Sequence, residues 1–156
     1  MNSRLAAFKV TARTVTAAVF FGRELHYTEL LNLAPDLEQA KASIVGFASS
    51  LVEHFRLDAS ASECGNDDTR ARALTSALVN GLRDKAIPYW PVQKAELFAA
   101  YSEVPLKSTH QLRVIVGNYW PHIIDAQDDK TFLDAAALGF YLQTERLLSD
   151  YSSSSP

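Results

Sequence analysis

Three short apolar runs separated by two tight polar links open the chain. Leu5–Val10 is apolar at nearly every position, the pattern of a strand covered on both faces. Thr11–Thr14 supplies a turn, and Val15–Phe20 is again apolar and β-branched. Phe21-Gly22-Arg23-Glu24 places a glycine where a hairpin needs a positive φ. Leu25–Leu33 follows and stops at Ala34-Pro35, since proline cannot continue a ladder. Runs of this length with links this short predict an antiparallel meander. Lys9 is the one charge inside the first run. An unpaired ammonium in apolar surroundings is costly, so Lys9 either faces solvent or has partners.

After Pro35 the period changes. Leu37, Ala40, Ile44, Phe47, Ala48, Leu51 and Phe55 fall on one helical stripe, predicting a helix over Asp36–Phe55 with Asp36 as its cap. Gly46 within it costs up to about 1 kcal/mol relative to alanine, which predicts a close crossing there. Arg56–Glu63 alternates weakly, with Leu57, Ala59 and Ala61 on one side, and reads as a fourth strand parallel to the first. Cys64–Asp68 is loop by composition. Asp67 or Asp68 can cap a second helix over Thr69–Lys85, whose inward stripe is Ala71, Leu74, Leu78 and Leu82. Ile87–Val92 is a short strand bracketed by prolines, which suit an edge. Gln93–Tyr101 is a short helix, broken at Val104-Pro105. Thr109–Trp120 fits a helical face through Leu112, Ile115, Val116 and Tyr119, although Val114–Val116 alone suits a strand; its length favours a helix. Asp125–Asp129 is a polar loop, and Lys130–Leu148 is a broadly apolar last helix. The expected layout is one domain over 1–150 and a disordered tail over 151–156.

Composition adds limits. The chain has 156 residues, 47% of them hydrophobic and 21% charged, an ordinary balance for a globular domain. No apolar run approaches the roughly 20 residues of a membrane helix, and the first residues lack a signal-peptide layout, so no membrane association and a cytoplasmic location are expected. A single cysteine, Cys64, gives neither an internal disulfide nor a zinc set. The net charge of −3 is a poor footprint for nucleic acid, which remains a possible partner that the charge does not support.

Three stretches carry a resemblance. Leu5–Phe20 reads apolar run, charge, apolar, turn, arginine, apolar run. Arg56–Glu63 ends in a glutamate. Phe132-Leu133-Asp134-Ala135-Ala136-Ala137-Leu138 places an aspartate before small residues. Together with the order of elements, they resemble the ribonuclease H-like fold, and in particular RuvC-type resolvases that cut Holliday junctions. The resemblance spans Leu5–Leu148. It implies an α/β protein built on a five-stranded mixed sheet, a three-stranded antiparallel meander followed by two parallel strands, with helices on both faces.

In active members of that family, acids from the first strand, the fourth strand and the last helix meet and bind divalent metal, usually Mg²⁺. Carboxylate oxygens suit such a hard cation, and a metal pair can stabilise both the attacking and the leaving oxygen of a phosphodiester. Carried onto this sequence, the first-strand acid corresponds to Lys9. The fourth-strand acid is Glu63, the last-helix acid is Asp134, and the further ligand one turn earlier corresponds to Thr131. A protonated amine cannot ligate a metal. The resemblance therefore implies a degenerate cluster of Lys9, Glu63, Asp134 and Thr131, in which the ammonium pairs with one or both acids, with no catalytic residue and no resident cofactor.

Three functions follow from these readings. The first is a catalytically degenerate domain used for binding or assembly. The second is a divergent Mg²⁺-dependent nuclease recruiting Asp58, Asp67 or Asp68. The third is an unrelated α/β subunit that meets a copy of itself or another protein through an aromatic surface drawn from some of Tyr89, Trp90, Tyr101, Tyr119 and Trp120, residues whose default reading is core. The balance is against catalysis. His26, His54, His110 and His122 have no ligand spacing and read as surface or capping residues. Cys64 reads as a packed thiol, since no base or positive field is identifiable beside it. Asp125, Asp128 and Asp129 lack the glycine and distal glutamate of a calcium loop. Arg70, Arg72, Arg83 and Lys85 read as a solvated helix face rather than a phosphate site.

Overall fold

The computed structural model of the chain describes residues 3–64, 67–101, 108–120 and 131–146. The three opening runs form strands β1 (Arg4–Val10), β2 (Thr14–Phe21) and β3 (Glu24–Asn32), paired antiparallel in sequence. Gly22 carries the positive φ, 61°, at the second turn. Helix α1 (Leu37–Phe55) returns the chain to the other side of β1, where β4 (Ala59–Cys64) pairs parallel to it. Helix α2 (Thr69–Asp84) leads to β5 (Tyr89–Gln93), parallel to β4. The sheet order is β3-β2-β1-β4-β5. The proline-bearing strand β5 lies at an edge, where a missing N–H costs no ladder bond. Among the described residues three further helices follow: α3 (Lys94–Tyr101), α4 (Thr109–Gly117) and α5 (Thr131–Tyr141), the last continued by a π-helical turn over Leu142–Arg146. This is the five-stranded mixed α/β sheet expected from the resemblance.

Side-chain alternation divides the core into two. Ala6, Phe8 and Val10 of β1, with Val15, Ala17 and Val19 of β2, pack beneath α1 and α2. Leu5 and Ala7 of β1, Ala18 and Phe20 of β2, and Ala59 and Ala61 of β4 pack beneath α4 and α5. Covering on both faces explains the lack of a polar phase in β1, whose Leu5–Phe8 are wholly buried. Thr131–Gly139 of α5 are all buried as well, so this helix is covered around its whole circumference rather than along one stripe, with Thr131 and Asp134 as its buried polar residues. Small residues allow the approach: a Cβ on Gly139 would overlap the Phe20 ring and crowd Ala7.

Several boundaries and one crossing differ from the sequence reading. Arg56 does not begin β4. It caps α1 in the left-handed region, at φ 52°, and donates its N–H to the Val52 carbonyl. Leu57 therefore packs with the α1 core, on the face opposite Ala59 and Ala61. Gly46 does not mark a crossing, because nothing lies within 4 Å of a Cβ placed there; Gly81, against Val45, and Gly139 do. Thr109–Gly117 is a helix, started by the Ser108 hydroxyl accepting from the Gln111 N–H. The break at Val104-Pro105, the loop at Asp125–Asp129, the end of the last helix and the tail lie outside the described residues. Among the described residues no helix is long and apolar enough to cross a membrane.

Candidate functional site

The site forms where β1 and β4 end beneath the first turn of α5. Leu5, Ala7 and Lys9 share one face of β1, so the alternation that buries the first two also turns Lys9 toward α5. The parallel register pairs Phe8 with Ser62, which sets Glu63 beside Lys9. On the other flank Thr16 of β2 lies opposite Lys9. Its hydroxyl hydrogen bonds to the Thr131 hydroxyl at 2.7 Å, fastening α5 to the sheet. Asp134, one turn along, then lies over the strand ends.

The Lys9 ammonium donates to Glu63 Oε2 at 3.2 Å and lies 4.0 Å from Asp134 Oδ2. Asp134 is only 3% exposed. Its charge is met mainly from α4, where Arg113 donates Nε–H to Oδ1 at 2.9 Å and an η nitrogen to Oδ2 at 2.6 Å. This is the two-bond fork that guanidinium makes with carboxylate. Lys94, at the start of α3, lies 3.8 Å from Glu63 Oε1. The cluster thus alternates in sign across five elements: Lys94, Glu63, Lys9, Asp134, Arg113. It opens on a cleft of about 370 Å³ lined by Lys9, Glu63, Cys64, Asp67 and Lys94, among others.

Thus Lys9, Glu63 and Asp134 come together in space, with Thr131 beneath them in a hydroxyl pair. Arg113 and Lys94 went unnoticed in the sequence. Arg113 lies in the stretch whose period fits strand and helix alike, and nothing local marks it as facing Asp134. Of the alternative acids, Asp67 lines the cleft, Asp68 caps α2 by accepting from the Ala71 N–H, and Asp58 accepts from the Arg4 N–H at the far end of β1. Arg70 is not a solvated or phosphate-binding cation: it donates to the carbonyls of Ala12, Ala34 and Pro35 and ties two loops together. Lys85 pairs with Glu53 at 2.6 Å.

A hard divalent ion needs several carboxylate oxygens facing one point. Among the described residues, no three His, Cys, Asp or Glu side chains form such a group. Asp134 spends both oxygens on Arg113, and the Lys9 ammonium lies between the two acids. The described donor set at this cleft does not fit Mg²⁺.

No protein-family model matches the sequence, and no curated protein does. Solved structures do match. RuvC of Thermus thermophilus aligns with a TM-score of 0.74 at 13% identity, over 90% of this chain and 95% of its own. The yeast mitochondrial Holliday junction resolvase aligns at 0.68 and 12% identity, over 97% and 85%. The fowlpox virus resolvase, solved with substrate Holliday junction DNA, aligns at 0.55 and 13% identity, over 96% and 97%. At these identities the likeness is one of fold: the chain has the RuvC-like form of the ribonuclease H-like fold.

Proposed function

We propose that this chain is a RuvC-like domain that has lost metal-dependent phosphodiester cleavage and serves as a binding or assembly module. One observation carries the reading: each acid that would gather metal is already neutralised by a basic side chain of the same chain, Glu63 by Lys9 and Lys94, Asp134 by Arg113 and Lys9. A metal entering would have to displace the guanidinium fork from a buried carboxylate and sit against an ammonium, both unfavourable. The partner is a protein, a second copy of the chain, or nucleic acid. The last is favoured by the fold neighbours solved with Holliday junction DNA and opposed by the charge of −3.

A second reading, a divergent metal-dependent nuclease, has one observation in its favour: Asp67 lines the same cleft as Glu63. Incubating the full chain with four-way and single-stranded DNA in Mg²⁺ or Mn²⁺ separates the two. The expected result is no metal-dependent product even at enzyme excess. Cleavage abolished by Glu63→Gln would overturn the first reading in favour of the second. Sedimentation of the chain alone and with DNA then identifies which partner the module takes.

A further inference from the structure

On the opposite face of the sheet, at the end where β1 begins, a second groove lies between β3 and the last turns of α1. It encloses about 490 Å³ and is lined by His26, Tyr27, Glu29, Ser50, Leu51, His54 and Phe55. A β-bulge builds it. Val19 pairs with Tyr27 but Phe20 pairs with Leu25, leaving His26 as an extra residue. A bulge of this kind re-aims side chains, and here His26 and Tyr27 both line the groove. Phe55 is the hub: the rings of His54, Tyr27 and His26 lie 4.6, 5.1 and 5.9 Å from it, and Phe21 lies 6.3 Å away.

We propose that this groove binds an arginine side chain presented by an extended segment of a partner polypeptide. Charge is the first argument: among the described residues Glu29 is the one acid or strong base lining the groove, so the site is complementary to a cation. Its carboxylate is near the Tyr27 hydroxyl, whose pKa is raised first by burial and then by the Glu29 charge and hydrogen bond. Ring chemistry is the second. A guanidinium is planar and weakly hydrated, and it stacks on aromatic faces where an ammonium stays hydrated. The cluster already holds one in this way: Arg4 lies 4.7 Å over the Phe21 ring while donating to the Phe55 carbonyl at 3.0 Å. Backbone is the third. β3 is an edge strand paired only with β2 among the described residues, so an extended segment can add to it. The volume accommodates a long side chain with its flanking backbone. The inference is independent of whether the Lys9 cluster is inert, because it uses none of those residues.

The test is an NMR titration of the ¹⁵N-labelled full chain with acetyl-Gly-Arg-Gly-amide, its lysine counterpart and its citrulline counterpart, which keeps the shape but not the charge. Saturable shifts centred on Tyr27, His54 and Phe55 are expected with the arginine peptide. Affinity for it should exceed that for the citrulline peptide by about tenfold, the worth of a charge-assisted hydrogen bond, with lysine between. Glu29→Gln, nearly isosteric at a part-exposed position, should remove the preference for arginine over citrulline without altering the remaining spectrum. No saturable shifts, shifts centred elsewhere, equal affinity for citrulline, or a preference surviving Glu29→Gln would each overturn the proposal.

Discussion

Lys9 and Arg113 meet the same buried acid on different terms, and the difference is measurable. Lys9 and Glu63 are each a little under one-fifth exposed, and each acid keeps a second cation if Lys9 is removed. Lys9→Met is therefore expected to cost about 1–2 kcal/mol, less than the roughly 3–5 kcal/mol of breaking a fully buried pair. Arg113→Met strips two charge-assisted bonds from an aspartate that is 3% exposed and leaves it facing Lys9 at 4.0 Å. About 2–4 kcal/mol is expected, the range for orphaning a buried charge that keeps one distant partner. Urea unfolding of both variants gives the order; a Lys9 variant less stable than the Arg113 variant would refute this account. Half of this was legible in the sequence. Lys9, Glu63 and Asp134 could be placed together because the resemblance to RuvC-type resolvases assigns one position each to the first strand, the fourth strand and the last helix. Arg113 could not, because its partner is set by how α4 lies on α5, a tertiary relation with no local pattern.

Between elements, two glycines that look alike in sequence behave oppositely. Gly46→Ala in α1 adds a methyl with nothing within 4 Å and is expected to stabilise by about 0.4–1 kcal/mol through backbone entropy and helix propensity. Gly139→Ala in α5 drives a methyl into Phe20 and Ala7 and is expected to cost about 1–3 kcal/mol. Thermal melts with opposite shifts are the expected readout; shifts of one sign would sink the contrast. A sequence shows that glycine is tolerated, not what stands across from it, so the crossing was misplaced at Gly46. The meander, the parallel fourth strand and the proline edge were legible, since each follows from runs and breakers within a few residues. The start of β4 was not, because the left-handed cap at Arg56 is occupied by a residue with no preference for it. A pH effect belongs to this scale too. Tyr101 of α3 donates its hydroxyl to the Ala137 carbonyl of α5 at 2.5 Å. Burial, and secondarily Tyr119, pushes its pKa well above the ordinary 10.0. The unfolded chain releases that proton near pH 10 while the folded chain keeps it. Its contribution is complete below that pH and declines above it, by up to about 1.4 kcal/mol per pH unit. Tyr89, also raised chiefly by burial, steepens the same limb. Tyr101→Phe should flatten the alkaline fall in unfolding free energy, and an unchanged slope would refute the assignment.

For the molecule as a whole, the question is whether this arrangement of two strand ends and a helix would hold a metal ion once basic side chains are removed from it. Backbone and cluster argue that it would: β1, β4 and α5 bring one side chain each to a common point, as the sheet order and the Thr16–Thr131 clasp require. Of the cluster's three cations, Lys94 meets only Glu63, at 3.8 Å, while Lys9 and Arg113 both face Asp134, and these two act separately. Lys9→Asp alone would place a third carboxylate at the strand ends, yet Asp134 would remain forked to Arg113, so the variant is expected to lose stability and gain little from Mg²⁺. Lys9→Asp combined with Arg113→Ala frees the Asp134 oxygens as well. Three acids then repel one another in a part-buried cleft, and a divalent ion is what relieves that repulsion. The double variant is thus expected to be the less stable of the two without metal and to regain stability with it. A ligand at a hundred times its dissociation constant adds about 2.7 kcal/mol when it binds only the folded state. Melting temperatures of wild type, single and double variants with and without Mg²⁺ or Mn²⁺ read this directly. A double variant indifferent to metal, or a wild type that is stabilised by it, would mean that the basic side chains are not what separates this cleft from a metal site.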